Sequence, residues 1–229
     1  MTAFSVIETR IGKVGPLGPR GVPSGIDKCP VAGPVMARVS GFVGDAQGDP
    51  VRHGGKDKAI HAYPVAHHRL WAQDLPAHAA RFRPGAFGEN LAIEGATEAD
   101  LCLFDRFQLG GAVVEISQTR QPCWKLNLRF DQPDMARRVQ ETGRTGWYFR
   151  VIAEGQIAPG DRAELIARPA PHWRLSRVWR LLYRETLDRG ALTGFAALDG
   201  LPENWRRMAE ARLARGAVED WRVRLDPPG

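Results

Sequence analysis

The sequence contains few cysteines and no long apolar segment. Its 229 residues include three cysteines, Cys29, Cys102 and Cys123, and no C-x-x-C pair. An odd number of widely spaced cysteines argues against a disulfide framework or a cysteine-rich zinc site, and favours a reducing compartment. No apolar run approaches the roughly 20 residues of a membrane span, and the first residues do not resemble a secretory signal. We therefore expect a cytoplasmic protein that does not associate with membranes.

The sequence also lacks the motifs of common redox and nucleotide-binding sites. It has neither a G-x-G-x-x-G dinucleotide fingerprint nor a G-x-x-x-x-G-K-[ST] P-loop. Three scattered cysteines cannot hold a typical four-cysteine iron–sulfur cluster. Side chains alone could hardly supply electrons, so any redox activity requires a cofactor of another kind.

Lysine is rare although the chain is basic, with a net charge of +6. A basic balance can attract nucleic acids, membrane surfaces or small anions. The lysine ammonium is a compact point charge that commonly contacts phosphate. Four of the five lysines lie in or beside the motifs described below, and the five are Lys13, Lys28, Lys56, Lys58 and Lys125.

Short apolar segments separated by glycine turns predict a barrel or a sandwich in the first three quarters of the chain. Strands are expected at 4–14, 35–43, 59–63, 91–93, 101–104, 106–109, 112–117, 147–153 and 162–167. Residues 15–25 are expected to form a loop, and helices are expected at 64–75 and from 132–134 to 142. Beyond Pro171, apolar residues recur at helical spacing and predict three helices. We place a boundary near residue 170, with domains at 1–170 and 171–229.

The segment around Cys123 has the strongest chemical signal. Arg120 precedes the cysteine by three residues and Lys125 follows it by two. Such neighbours can lower a cysteine pKa from about 8.5 to roughly 3.5–7.5. A thiolate can act as a nucleophile or as a soft metal ligand. The alternative is a small buried apolar residue beside two solvated cations.

A second basic segment combines paired glycines with cations. In Arg52-His53-Gly54-Gly55-Lys56-Asp57-Lys58 the glycines would allow close approach of a phosphate, and the cations would bind it. The alternative is a cationic surface turn. Adjacent His67 and His68 would point about 100° apart on a helix and could not easily share a metal. Asp105 and Asp161, each before a strand, are expected to shape turns.

Several segments taken together resemble one family. They are Ser24-Gly25-Ile26-Asp27-Lys28, His53-Gly54-Gly55-Lys56-Asp57-Lys58-Ala59, Phe87-Gly88-Glu89-Asn90-Leu91, Gln121-Pro122-Cys123-Trp124-Lys125-Leu126 and Arg180-Leu181-Leu182-Tyr183. The chain resembles the MOSC proteins, named for the C-terminal domain of molybdenum cofactor sulfurase, and within them the YiiM-like branch. The resemblance implies a mainly β fold with some α-helix, in which a β-barrel-like MOSC domain precedes a small three-helix domain.

The resemblance also implies a molybdenum cofactor, which is a pterin with a dithiolene and a phosphate. The implied reaction reduces N-hydroxylated compounds, such as hydroxylaminopurines, to amines. Cys123 matches the family's cysteine ligand and is the predicted catalytic residue and metal ligand. The predicted cofactor contacts are Lys28, Arg52, His53, Lys56, Asn90, Arg120, Gln121 and Lys125. A complete sulfurase activity is not expected, because the chain is too short for a pyridoxal-phosphate domain.

The expected partners are a small N-hydroxylated substrate and a separate electron-donating reductase, without stable nucleic-acid binding. His53 or His61 could donate a proton, or could simply hydrogen-bond the cofactor or the core. Two other functions stay open. One is a cofactor-independent thiol enzyme that carries sulfur on Cys123 as a persulfide. The other is a non-enzymatic nucleic-acid-binding module whose affinity would fall steeply with salt.

Overall fold

The computed structural model describes residues 2–227, apart from the side chains of Thr2, Val51 and Arg52. In this part of the chain the strands are β1 (Thr2–Ile11), β2 (Gly15–Leu17), β3 (Val22–Ser24), β4 (Cys29–Val31), β5 (Val35–Arg38), β6 (Gly41–Phe42), β7 (Ile60–Pro64), β8 (Leu91–Glu94), β9 (Arg106–Leu109), β10 (Ala112–Thr119), β11 (Trp147–Ala153), β12 (Gly155–Ile157) and β13 (Arg162–Ala167). The helices are α1 (Pro50–His53), α2 (Val65–Asp74), α3 (Lys125–Phe130), α4 (Met135–Thr142), α5 (Leu175–Tyr183), α6 (Arg189–Ala196), α7 (Glu203–Arg215) and α8 (Arg222–Leu225). Short 3₁₀ helices lie at Lys56–Lys58 and Pro76–Arg81. No helix in the described range is long and apolar enough to cross a membrane.

Seven strands close into a barrel, which confirms the predicted fold class. Their order is β13-β9-β10-β11-β7-β8-β1, and β1 pairs again with β13, placing Phe4 opposite Ala163. Neighbours are antiparallel except β7 and β8. A parallel pair needs a crossover connection, and the segment containing α2 supplies it. Closure leaves no unpaired edge within the ring of strands.

Aromatic side chains fill the barrel interior. Phe4 lies between Phe107, at 5.3 Å between ring centroids, and Trp147, at 6.3 Å. Both contacts are edge-to-face, the geometry that aromatic quadrupoles favour. Phe149 also packs against Phe4 with its centroid at 6.2 Å. These four side chains are almost fully buried, so the apolar residues of the alternating strands form one core.

The C-terminal helices α5, α6 and α7 pack on the same core. Trp173, Leu182, Phe195 and Trp205 belong to one apolar cluster with the barrel residues. The predicted boundary near residue 170 lies in the connection between β13 and α5. Since the apolar core is continuous across this connection, the division into two domains stays a prediction.

Some predicted elements differ from those observed. Residues 15–25, predicted to be a loop, contain the β2–β3 hairpin. The single strand predicted for 35–43 is divided into β5 and β6, because Gly41 adopts φ +117° and turns the chain. Helices α3 and α8 were not predicted, since each is short and has no clear apolar period of its own.

The strand predicted for 101–104 is wrong, because the chain turns there. Phe104 has a left-handed φ of +64°. Asp105 Oδ2 accepts the backbone N–H of Cys102 at 2.9 Å, and Arg168 binds both oxygens of the same carboxylate. Asp161 Oδ2 accepts the backbone N–H of Ala158 at 2.8 Å. Both aspartates therefore shape turns, as the sequence indicated.

A buried polar network attaches the N-terminal loops to the barrel. Asp45 pairs with the ammonium of Lys28 and accepts the backbone N–H of Gly12 at 2.8 Å. Asn90 Nδ2 donates to Asp45 Oδ2 at 2.9 Å, and Asn90 Oδ1 accepts the N–H of His61 in β7 at 3.0 Å. Burial lowers the pKa of Lys28, while the charge of Asp45 acts in the opposite direction. Asp45 is therefore the acceptor on which the network depends.

We predict that Asp45→Asn will strongly destabilise the fold. The substitution preserves side-chain size but leaves the buried Lys28 ammonium without a counter-charge, at a cost of about 3–5 kcal/mol. Urea unfolding followed by tryptophan fluorescence measures the loss. The matched control is Asp27→Asn, because Asp27 is exposed and pairs with Arg129 at 2.8 Å. The control should lose less than about 1 kcal/mol, and equal losses in the two variants would contradict the proposed role of Asp45.

Candidate functional site

A cavity of about 610 Å³ lies where β10 ends and the chain turns towards α3. We call it the large cavity. Its wall is formed by Asp49, His53, Gly54, Gly55, Lys56, Asp57, Lys58, Gln118, Gln121, Cys123, Trp124, Lys125, Tyr148, Asn204, Val223 and Arg224. A volume of this size is within the range of small-molecule and cofactor sites. Segments far apart in sequence therefore meet around one ligand-sized space.

A second, smaller space of about 50 Å³ shares part of this wall. We call it the small pocket. The residues common to both spaces are His53, Cys123, Lys125 and Tyr148. The small pocket is completed by Ser24, Gly25, Ile26, Gln47, Gly48, His61, Phe87, Gly88 and Arg120. Cys123 thus borders both spaces and is not enclosed in packed hydrocarbon.

Cys123 lies in the irregular segment between β10 and α3. It is half-buried, whereas Cys29 is exposed and Cys102 is buried. Its carbonyl accepts the backbone N–H of Leu126 at 3.0 Å, and Leu126 is fully buried in a second apolar cluster. The short helix α3 therefore anchors the downstream end of the segment while Cys123 borders the cavity. The predicted thiolate character of Cys123 stays a prediction.

Arg120 carries an unpaired donor in the wall of the small pocket. Its side chain is only 6% exposed, and Nη1 finds no acceptor among residues 2–227 as described. A buried donor without an acceptor is costly. An anionic ligand in this space would offset that cost. The residues present therefore fit a negatively charged group that also has a soft atom for a thiol to bind.

The surrounding charges are mainly positive. The described side chains of the two walls include five cations and two aspartates, Asp49 and Asp57. The cations are Lys56, Lys58, Arg120, Lys125 and Arg224. Burial lowers the pKa of Lys58, and the negative charge of Asp49 opposes that shift. Cations gathered around a concave space raise the local concentration of anions.

Two histidines near the cysteine are neutral at pH 7. Burial, followed by the charges of Lys125 and Arg120, lowers the pKa of His53 to about 4. Burial and the charge of Arg120 lower the pKa of His61 to about 3. The Nε2 atom of His61 has no hydrogen-bond partner within the described residues. Both imidazoles can therefore exchange hydrogen bonds with a ligand as neutral groups, and a bound anion would raise both pKa values.

Two buried carboxylates hold the backbone beside the small pocket. Glu89 pairs with His68 at 3.0 Å and accepts the N–H groups of Gly85 and Phe87. Burial tends to raise the pKa of Glu89, but the hydrogen bond to His68, the electrostatic interactions with His68 and His61 and a backbone hydrogen bond together lower it. In the same way, Glu98 Oε1 accepts the backbone N–H of Gly146 at 2.7 Å. His67 Nε2 lies 2.7 Å from Glu98 Oε2, so His67 and His68 are both partners of structural carboxylates.

One glycine from each of two motifs, Gly25 and Gly88, permits close packing of neighbouring loops. A Cβ at Gly25 would lie 2.0 Å from the carbonyl oxygen of Ala46, so only glycine fits there. A Cβ at Gly88, which has φ +75°, would lie 2.8 Å from Ile26 Cγ1. Both glycines line the small pocket. Their role is therefore to bring neighbouring backbone segments together at this wall.

The structure brings together some of the predicted contacts and not others. Those on the two walls are His53, Lys56, Arg120, Gln121, Cys123 and Lys125. Lys28 and Asn90 lie instead in the buried network around Asp45. The side chain of Arg52 lies outside the described part of the chain. As cofactor contacts, all of these residues stay predictions.

Other wall residues had little or no signal in the sequence. Gln118 and Tyr148 belong to β10 and β11, where strand alternation alone does not mark a site. Asn204, Val223 and Arg224 come from the C-terminal region. They lie some 80 to 100 positions beyond Cys123, and only the packing of the C-terminal helices places them at the cavity.

Comparisons with known proteins identify the family. The MOSC domain matches residues 49–164, and the YiiM-like, 3-alpha helix domain matches residues 173–216. The chain is 38% identical to uncharacterized protein YflK of Bacillus subtilis, over 89% of this chain and 91% of that protein. It is 36% identical to protein YiiM of Escherichia coli, over 90% and 92% of the two chains.

A solved structure and a fungal relative also resemble this chain. The crystal structure of YiiM from Escherichia coli superposes with a TM-score of 0.80 and 32% identity, covering 94% of this chain and 100% of that one. A protein of Gibberella moniliformis named "Reductase" is 36% identical over 77% of this chain but only 32% of its own length. The chain therefore belongs to the MOSC domain family and contains the YiiM-like, 3-alpha helix domain.

Proposed function

We propose that the protein is an oxidoreductase that uses a molybdenum cofactor to reduce N-hydroxylated compounds, such as hydroxylaminopurines, to amines. Membership of the MOSC family supports a molybdenum cofactor. The name of the fungal relative supports reduction as the reaction class. In the overall reaction a hydroxylamine takes up two electrons and two protons and yields an amine and water.

The observation that carries this proposal is the position of Cys123. Its side chain borders both the large cavity and the small pocket, and the buried guanidinium of Arg120 borders the latter. A thiolate suits a soft metal, and a guanidinium suits a phosphate through paired donors. One wall therefore combines the two ligand types that a metal-bearing, phosphorylated pterin needs.

The bound cofactor would supply a metal centre that exchanges two electrons. The chain's own residues would hold and orient it. Cys123 would be the protein ligand of the metal, Arg120 would bind the anionic group, and Lys56 and Lys125 would add point charges. The neutral imidazole of His53 would accept or donate one hydrogen bond.

A persulfide carrier is the competing function for the same cysteine. That chemistry needs space for one additional sulfur atom beside the thiol. The large cavity has a volume of about 610 Å³, which is far more than a single atom occupies. The size of the cavity and the cations that line it favour a large anionic cofactor.

We also propose that electrons come from a separate reductase. This chain lacks the sequence motifs for flavin, haem, iron–sulfur or dinucleotide binding. The fungal relative named "Reductase" extends well beyond the part that matches this chain. An electron-donating module outside the matched region is consistent with that length.

We predict that Cys123→Ser will abolish turnover without emptying the site. Losing the metal ligand should lower molybdenum-dependent reduction of a hydroxylaminopurine at least about 100-fold, since even outer partners of ligands are worth 10–100-fold. Pterin content should change little, because the cations remain. Cys29→Ser is the control, as Cys29 is exposed and lies on neither wall. Undiminished activity in Cys123→Ser would exclude the proposed role.

We predict that the purified, cofactor-loaded protein cannot use NADH directly. Hydroxylaminopurine and NADH should give no more amine than a protein-free mixture, whereas a chemical reductant such as reduced viologen should support turnover. Chromatographic quantification of the amine measures both reactions. Efficient turnover with NADH alone would show that the chain needs no electron-donating partner.

A further inference from the structure

Helix α8 contacts the residues on both sides of Cys123. Trp124 donates its backbone N–H to the carbonyl of Arg224 at 2.9 Å. The Nη1 atom of Arg224 donates to the carbonyl of Pro122. One residue of the C-terminal region therefore holds both the residue before and the residue after the cysteine. These bonds restrict the directions in which the Cys123 side chain can point.

The guanidinium of Arg224 is itself held in place. Its Nη2 atom donates to Gln140 Oε1 at 2.5 Å, and Gln140 is buried in α4. The guanidinium carbon also lies 5.7 Å from the centroid of the Tyr183 ring in α5. The planar fork of arginine can thus connect α4 to the cysteine segment, which a single ammonium could not do in the same way.

The ends of the segment that contains α8 are also anchored. Leu225 is 2% exposed and belongs to the second apolar cluster together with Leu126. Asn127 Nδ2 donates to the carbonyl of Leu225 at 3.1 Å. Upstream, Glu219 binds the buried guanidinium of Arg212 through two bonds of 2.7 and 2.9 Å. Residues 219–225 therefore connect the C-terminal helices rigidly to the segment that contains Cys123.

We propose that Arg224 is a positioning residue for Cys123 and that the C-terminal helical region is thereby part of the functional site. The consequence for catalysis rests on the proposed function, in which Cys123 is the metal ligand. The positioning itself does not depend on it, because the contacts join protein groups only. Removal of the two side-chain bonds should free the cysteine segment and expose the thiol.

The test compares Arg224→Met with Arg222→Met in cofactor-free protein. Arg222 lies in the same helix and is bonded to exposed Asp220, so it is a matched control. Iodoacetamide alkylation is followed by peptide mass spectrometry, which separates Cys123 from the other cysteines. We expect Arg224→Met to accelerate alkylation of Cys123 and amide exchange at Trp124 by at least about fivefold, since local opening exposes both groups. In Arg222→Met, the rates of Cys123 alkylation and of Trp124 amide exchange should stay within about twofold of the wild-type rates.

A second variant keeps the test decisive if Arg224→Met fails to fold by circular dichroism. Gln140→Leu removes the acceptor of Arg224 Nη2 and leaves the contacts of Arg224 with Pro122 and Trp124 possible. It should accelerate alkylation by about two- to threefold. Rates equal to or slower than that of Arg222→Met in every folded variant would overturn the proposal. Neither readout involves molybdenum, so failure of the proposed function would leave this result unaffected.

Discussion

The side chain of Cys123 can border an open cavity because the chain on either side of it is tied to buried structure. Upstream, β10 is buried along nearly its whole length inside the sheet. Downstream, α3 places Leu126 and Phe130 in an apolar cluster. A reactive atom needs exposure and a fixed position together, and loops on a rigid scaffold meet both needs. The barrel supplies the scaffold, and the C-terminal helix α8 supplies the third attachment.

The negative and positive side chains around the Cys123 cavity have different roles. The buried carboxylates of Asp45, Glu89 and Glu98 are used for structure, each binding backbone N–H groups of nearby loops. By contrast, Nη1 of the buried Arg120 has no acceptor among the described residues. The protein alone therefore holds positive charge at a cost that an anionic ligand would offset. A ligand that binds only the folded state also stabilises it.

The strand pattern could be predicted locally, but closure of the barrel could not. Alternation of apolar residues located β11 and β13 with their observed bounds. The pairing of β1 with β13 joins segments about 160 positions apart, and no local pattern records it. A turn at Asp105 was expected, but the strand predicted for 101–104 was wrong. The turn reaches back to Cys102, whose N–H the Asp105 carboxylate accepts, and the distant Arg168 binds that carboxylate.

In the candidate site, too, sequence motifs predicted local groupings of residues but not contacts between distant segments. Motifs placed Cys123, Arg120 and Lys125 at one site because those residues are neighbours in sequence. Lys28 also lies in a motif, but its ammonium turns to Asp45, and only the three-dimensional arrangement of the loops determines that choice. Arg224 lies about 100 positions from Cys123, so its contact with Pro122 follows from the packing of the C-terminal helices.

The proposed function depends on a bond between the sulfur of Cys123 and molybdenum. X-ray absorption at the molybdenum edge tests it most directly, using cofactor-loaded wild-type protein and Cys123→Ser. We expect one sulfur neighbour fewer around molybdenum in the serine variant, with an oxygen or nitrogen neighbour in its place. An unchanged number of sulfur neighbours in the two proteins would contradict it.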